Sequence, residues 1–215
     1  FFDEVKIRNC IDYRACEARR GDPKYWYHIH LDPATTSHNY ALVMTHTVVY
    51  TNNRGEALKK IFVDYVKFWT PSENGPVDIR DVERTILDLC GRFKVKTVTF
   101  DAWQSAGSIQ NLRRRGINAS ETKFSNSYIT QIYGELKNAI DQGELVLYPH
   151  EQLIGELVNL NQKIVGNGFT RAFDPKSVYP SDDLCDALAG SVYQALQKHI
   201  GPSLPRSVTV FVGRR

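Results

Sequence analysis

The chain has 215 residues, of which 42% are hydrophobic and 24% charged, a balance that excludes a disordered or low-complexity polymer and suits one α/β domain or at most two small ones. Lys and Arg number 27 against 24 Asp and Glu, a net charge of +3. So small an excess does not identify a nucleic-acid binder, and what matters is where the acids sit.

Residues 1–24 are charged and aperiodic, and read as a linker or a short helix entering the domain. Tyr25 to Asp32 is aromatic and β-rich and stops at Pro33, which predicts a strand. Asn39 to Thr51 and Ile61 to Trp69 predict two more, and the short connections imply an antiparallel meander. The period then changes. Asp78 to Phe93 spaces Val82, Ile86 and Leu89 as a helix. Lys96 to Phe100 is a short strand ending in Asp101, Ala102 to Arg115 a helix, and Ile117 to Lys123 an edge strand. Asn126 to Gln142 is an amphipathic helix stopped by Gly143. Glu144 to Tyr148 predicts a strand and Glu151 to Leu160 a helix. Gly166-Asn167-Gly168 marks a hairpin turn within Lys163 to Phe173. Ser181, as N-cap, opens a last helix that runs to Lys198. The tail from Gly201 holds one β-like run, Val208 to Val212. One mixed sheet covered by helices is the economical architecture, an antiparallel meander followed by parallel strands, with an extra β-hairpin.

The four cysteines, Cys10, Cys16, Cys90 and Cys185, form no C-x-x-C pair. That argues against a zinc ribbon or a disulfide framework and suits a reducing cytosol. Cys185 reads as a core residue. His28 and His30 alternate on one strand without a third ligand at zinc spacing. No apolar run approaches the ~18–20 residues that cross a bilayer.

The acids are more informative. Asp32 ends the first strand, Asp101 ends the fourth, and Asp183 and Asp186 lie three apart on the first turns of the last helix. In open α/β sheets, ligands collect at such strand ends. No Lys or Arg lies within three residues of any of them. Singly, each Asp fits a turn or a helix cap. Gathered on one scaffold they would repel and raise one another's pKa, and hard divalent cations with oxygen ligands, Mg²⁺ or Mn²⁺, resolve that repulsion. A pair of such ions is the apparatus of phosphodiester hydrolysis.

The strand ending in Asp32, the run T-V-T-F-D-A-W ending in Asp101, and S-D-D-L-C-D-A-L-A at the last helix resemble the nuclease domain of the bacteriophage terminase large subunit. The resemblance covers roughly residues 25–198 and implies a ribonuclease-H-like fold. It further implies an endonuclease that cuts concatemeric viral DNA during packaging, with Asp32 bridging two metals, Asp101 holding one, and an acid of the last helix holding the other. Asp183 ranks first for that role, then Asp186, then Asp182. Some relatives carry a further acid about six residues after the first, where this chain has His38, which implies either one weakly held metal or a histidine that helps position water. Implied partners are double-stranded DNA, the ATPase motor domain of the same polypeptide, the portal protein and the small terminase subunit, at the procapsid portal in the host bacterial cytoplasm, with no membrane. The chain has no G-x-x-x-x-G-K-[ST] and no initiator Met. The expectation is therefore a nuclease half, with residues 1–24 as linker or extension, 25–200 as the nuclease domain and 201–215 as tail.

Basic residues gather at Arg19-Arg20, Lys94 with Lys96, Arg113-Arg114-Arg115, Lys123, Lys163 with Arg171, and Arg214-Arg215. The hairpin carrying Lys163 and Arg171, together with Lys123, is the expected contact to DNA backbone, which gives affinity without sequence readout. The Arg triplet equally suits a solvated helix C-terminus; Trp103 and Gln104, after Asp101, are in place to touch substrate, though a Trp there is more often packing. Rival readings are another ribonuclease-H-like enzyme, such as a resolvase or transposase, and a catalytically silent module docking DNA or portal.

Overall fold

A computed structural model describes residues 1–34, 38–71, 75–101, 105–122, 125–165, 168–172, 178–179 and 181–197, with the backbone alone for 162–165 and 168–172. The Val- and Thr-rich runs pair as the expected meander: β1 (Tyr27–Asp32) and β2 (Tyr40–Thr51) are antiparallel, as are β2 and β3 (Ala57–Trp69). β3 begins four residues before the expected Ile61. Its first rungs face solvent, so Lys59 and Lys60 conceal the strand from a hydrophobicity reading. The turn is set by Asn52, whose Oδ1 accepts from the backbone of Arg54 and Glu56, and by Gly55 at φ +83°.

After α2 (Ile79–Arg92), capped by Asp78, the chain returns as β4 (Val95–Asp101), parallel to β1. α3 (Ala106–Arg114) then leads to β5 (Ala119–Thr122), parallel to β4 at the sheet edge. Following α4 (Asn126–Asp141), β6 adds to the far side of β3. β6 holds only Leu145–Val146, shorter than the expected five residues. The order is β5-β4-β1-β2-β3-β6, the mixed ribonuclease-H-like sheet expected from the sequence. α5 (Glu151–Asn159), the separate ribbon of β7 (Asn161–Val165) and β8 (Gly168–Ala172), and α6 (Asp183–Gln197) complete the described elements.

Two cores flank the sheet. Ile29, Leu31, Leu42, Met44, Val98 and Phe100 meet α2 and α3 on one face. Ala41, Val43, Ile61 and Val63 meet α4, α5 and α6 on the other. The opening segment supplies α1 (Glu4–Asn9), N-capped by Asp3, and buries Phe2, Ile7 and Cys10 in this second core. α6 begins at Asp183, two residues after the expected cap. Ser181 instead uses its Oγ to donate to the Asp183 carboxylate and to accept from the Asp183 backbone. The expected strand at 208–212 lies outside the described residues.

Candidate metal centre

Side chains alternate across a strand, so the burial of Ile29 and Leu31 under α2 and α3 turns His28, His30 and Asp32 toward α6. The parallel register matches His28 with Thr97, His30 with Thr99 and Leu31 with Phe100. One residue beyond this last matched pair, Asp32 and Asp101 end adjacent strands, which lie ~4.8 Å apart, on the α6 face. Each histidine makes the same cross-strand bond: His28 Nδ1 lies 2.8 Å from Thr97 Oγ1, and His30 Nδ1 2.7 Å from Thr99 Oγ1. These contacts tie both rings to β4 through Nδ1.

Asp101 is buried at 2% exposure. Its Oδ1 accepts from Thr122 Oγ1 of β5 at 2.6 Å and lies 3.2 Å from His30 Nε2. Its Oδ2, equally buried, has no hydrogen-bond partner among the described residues. Buried carboxylate oxygens are rarely left so, because an unsatisfied charged acceptor costs more than a neutral one. Asp32 is half-buried.

α6 runs antiparallel to β1. Near its C-terminal half, Ser191 Oγ donates to His28 O at 2.9 Å and Thr47 Oγ1 to Ala195 O at 3.4 Å. At its start, Asp183 Oδ2 accepts from the Asn39 backbone at 3.0 Å and from Ser181 Oγ at 2.6 Å. The helix N-terminus therefore lies over the strand ends that carry Asp32 and Asp101. Close approach depends on Gly190, where a Cβ would stand 2.1 Å from the His30 ring.

The two acids of this helix face different ways. Asp183 points to the β1–β2 connection, and burial raises its pKa, helped by the neighbouring Asp182. The bonds from Ser181 and Asn39 and the charge of His38 oppose that rise. Asp186 turns to α4, where its Oδ1 accepts from Tyr133 Oη at 2.5 Å, within the cluster of Phe1 and Phe2. Asp182 is half-buried. Neither Asp101 nor Asp183 pairs with Lys or Arg among the described residues. No three His, Cys, Asp or Glu side chains there stand in a formed ligand set. What the fold brings together is Asp32 with Asp101, and Asp183 above their connection.

Glu156 escaped the sequence reading. It lies on α5 at 1% exposure, and its Oε2 accepts from the backbone N–H of Leu184 and Cys185 at 2.9 and 3.3 Å. A carboxylate from another helix thus satisfies the free donors that open α6 and fixes the turn bearing Asp183. Burial pushes its pKa up to about 7, partly opposed by a bond from Gln152 and the two backbone donors. An acid between Leu153 and Leu157 on a buried face was the available signal. Tyr128 was also missed: burial, aided by the charge of Asp101, pushes its pKa up to about 12. Of the expected DNA contacts, the β7–β8 ribbon forms, with Lys163 opposite Thr170 and Gln162 opposite Arg171. Lys123, Trp103, Gln104 and the turn at 166–167 lie outside the described residues.

No protein-family model matches the chain, and no curated protein matches it. Solved structures do. The large terminase nuclease of thermophilic phage G20c with bound magnesium aligns at 15% identity and TM-score 0.64, covering 88% of this chain and 95% of that one. Other structures of that nuclease hold cobalt or zinc. The large terminase nuclease domain of Thermus phage P74-26 aligns at 14% identity and TM-score 0.66, covering 92% and 97%. The HK97 bacteriophage large terminase aligns at 18% and TM-score 0.67, over 90% of this chain but 43% of that one. The fold of this chain is that of phage large-terminase nucleases.

Proposed function

We propose that the chain is a metal-dependent DNA endonuclease, the nuclease part of a phage packaging terminase, that cuts concatemeric viral DNA. The observation that carries this reading is the buried Oδ2 of Asp101, without a hydrogen-bond partner among the described residues, at the end of the strand adjacent to the one that ends in Asp32. The donor set is all carboxylate oxygen, which suits Mg²⁺ or Mn²⁺ rather than a soft metal. Asp32 would bridge two ions, Asp101 Oδ2 would hold one, and Asp183 the other. Bound there, the ions would supply Lewis acidity for an attacking water and a departing phosphodiester oxygen. The protein's own part is to present the oxygens rigidly: Thr122 and His30 fix Asp101, Ser181 and Asn39 fix Asp183, and Glu156 fixes the helix start. Asp186, bonded to Tyr133, braces that helix against α4. Two divalent ions would also raise the formal charge from +3 to about +7, favouring approach to phosphates.

The nuclease domain is assigned to residues 25–200, with 1–24 as its entry, whose α1 packs into the second core, and 201–215 as its tail. Lys163, Arg171 and Lys123 would contact the DNA backbone. Motor domain, portal protein and small terminase subunit are the proposed partners, at the procapsid portal in the host cytoplasm. No helix among the described residues is long and apolar enough to cross a membrane. The test is cleavage of supercoiled plasmid with Mn²⁺ or Mg²⁺: the chain should nick and linearise it, and Asp32→Ala or Asp101→Ala should abolish cutting. Undiminished cutting by both variants would refute the site, and no cutting by the parent chain would favour a docking module.

A further inference from the structure

We infer that His30 and Thr122 are positioning residues that together hold Asp101 Oδ1, so that Oδ2 is the oxygen presented to a divalent cation. The inference rests on the proposed metal centre and deepens it.

His28 and His30 offer an internal comparison. Both bond a threonine of β4 through Nδ1, at 2.8 and 2.7 Å, so that contact belongs to the sheet. The other nitrogen of His30 reaches the proposed site: Nε2 lies 3.2 Å from Asp101 Oδ1. The approach is close in distance but off the direction of an aligned N–H bond, and Nε2 has no other partner among the described residues. The contact is therefore electrostatic steering of the carboxylate rather than a strong hydrogen bond. The aligned bond to the same oxygen comes from Thr122 Oγ1 at 2.6 Å. Holding one oxygen from two neighbouring strands removes the freedom of the carboxylate to turn about its terminal torsion, which is otherwise broad.

The ring cannot drift. It is fully buried, bonded at Nδ1 to Thr99, and roofed by the backbone of α6 at Gly190, where any side chain would occupy its space. Thr99 Oγ1 has two acceptors in reach, Ile29 O at 3.3 Å and His30 Nδ1 at 2.7 Å; with its proton on the shorter contact, the ring hydrogen sits on Nε2 and faces Asp101 Oδ1. Groups that orient a ligating carboxylate typically change metal affinity 10–100-fold when removed.

The test measures Mn²⁺ binding without DNA, from the electron paramagnetic resonance signal of free Mn²⁺, on variants whose folding is checked by circular dichroism. His30→Leu fills the core without a donor, His30→Gln keeps an N–H near the Nε2 position, and Thr122→Val removes the other hold from the edge strand. His30→Leu and Thr122→Val should each weaken Mn²⁺ binding about tenfold or more, and His30→Gln should recover most of the His30→Leu loss. Unchanged affinity in Thr122→Val, or in a folded His30→Leu, would overturn the proposal, as would His30→Gln binding no better than His30→Leu. Asp101→Asn separates the two levels: if it binds Mn²⁺ as the parent does, the metal-centre reading itself fails.

Discussion

Gly190→Ala tests whether α6 is seated on the His30 ring as tightly as the geometry requires. A Cβ there would stand 2.1, 2.2 and 2.4 Å from three ring atoms, where ordinary carbon contacts are ~3.5–4.0 Å. Helix or ring must retreat by about 1.5 Å, judged against that spacing. Overpacking of this kind costs about 1–3 kcal/mol. If the ring yields, its bond to Thr99 is lost inside the core, for roughly another 1–3 kcal/mol. The higher helix propensity of Ala returns about 1 kcal/mol. The net expectation is a loss of about 3 kcal/mol, a fall of about 1 M in the urea midpoint for a chain of this size. On a His30→Ala background the obstruction is gone, so the same substitution should be neutral or stabilise by up to about 1 kcal/mol. Urea denaturation followed by circular dichroism reads both backgrounds. Equal midpoint shifts in the two, or a shift below about 0.3 M in the parent, would refute the packing argument.

Glu156→Gln should change how stability depends on pH in metal-free buffer. The native pKa of Glu156 is raised from 4.5 to about 7, so its contribution is fully present below the unfolded pKa and is lost as pH rises through about 7. Between those limits the variant should gain about 3 kcal/mol relative to the parent, and a difference that stays constant across the range would contradict the buried cap. Asp183→Asn should abolish Mn²⁺-dependent cleavage, whereas Asp186→Asn should mainly lower thermal stability, since its carboxylate braces Tyr133; the reverse pattern would exchange their roles. Lys163→Glu with Arg171→Glu should weaken DNA binding and reduce the slope of log K against log salt by about 2. An unchanged slope in fluorescence anisotropy would dismiss the hairpin as a contact.

Much of this architecture is legible along the chain because periodicity is a local property. β1, β2, β4 and α4 show it plainly, since burial on one or both faces leaves an apolar pattern in the residues themselves. β3 loses its first four residues to the same logic, because Lys59 and Lys60 lie on rungs that solvent reaches. β6 ends after two residues because the next, Leu147, bonds to the opening segment instead, donating to Cys10 O and accepting from the Asp12 backbone. Asp32, Asp101 and Asp183 stand out as acids at element ends. Their surroundings do not, because each contact joins distant segments. Thr122 meets Asp101 only once β5 lies beside β4, and Glu156 meets α6 only once α5 packs against it. His28 and His30 look alike in sequence, and the topology alone distinguishes the ring that approaches Asp101. The division of labour between Asp183 and Asp186 has the same origin, since Asn39 draws one and Tyr133 the other.

The central claim is that the ends of β1, β4 and α6 form one divalent-metal centre, and a crystal soaked in Mn²⁺ tests it most directly through anomalous scattering. Two peaks roughly 4 Å apart are expected, one against Asp101 Oδ2, one against Asp183, with Asp32 between them and Asp186 still bonded to Tyr133. Saturating Mn²⁺ with no peak at these carboxylates, or peaks held by other residues, would contradict it.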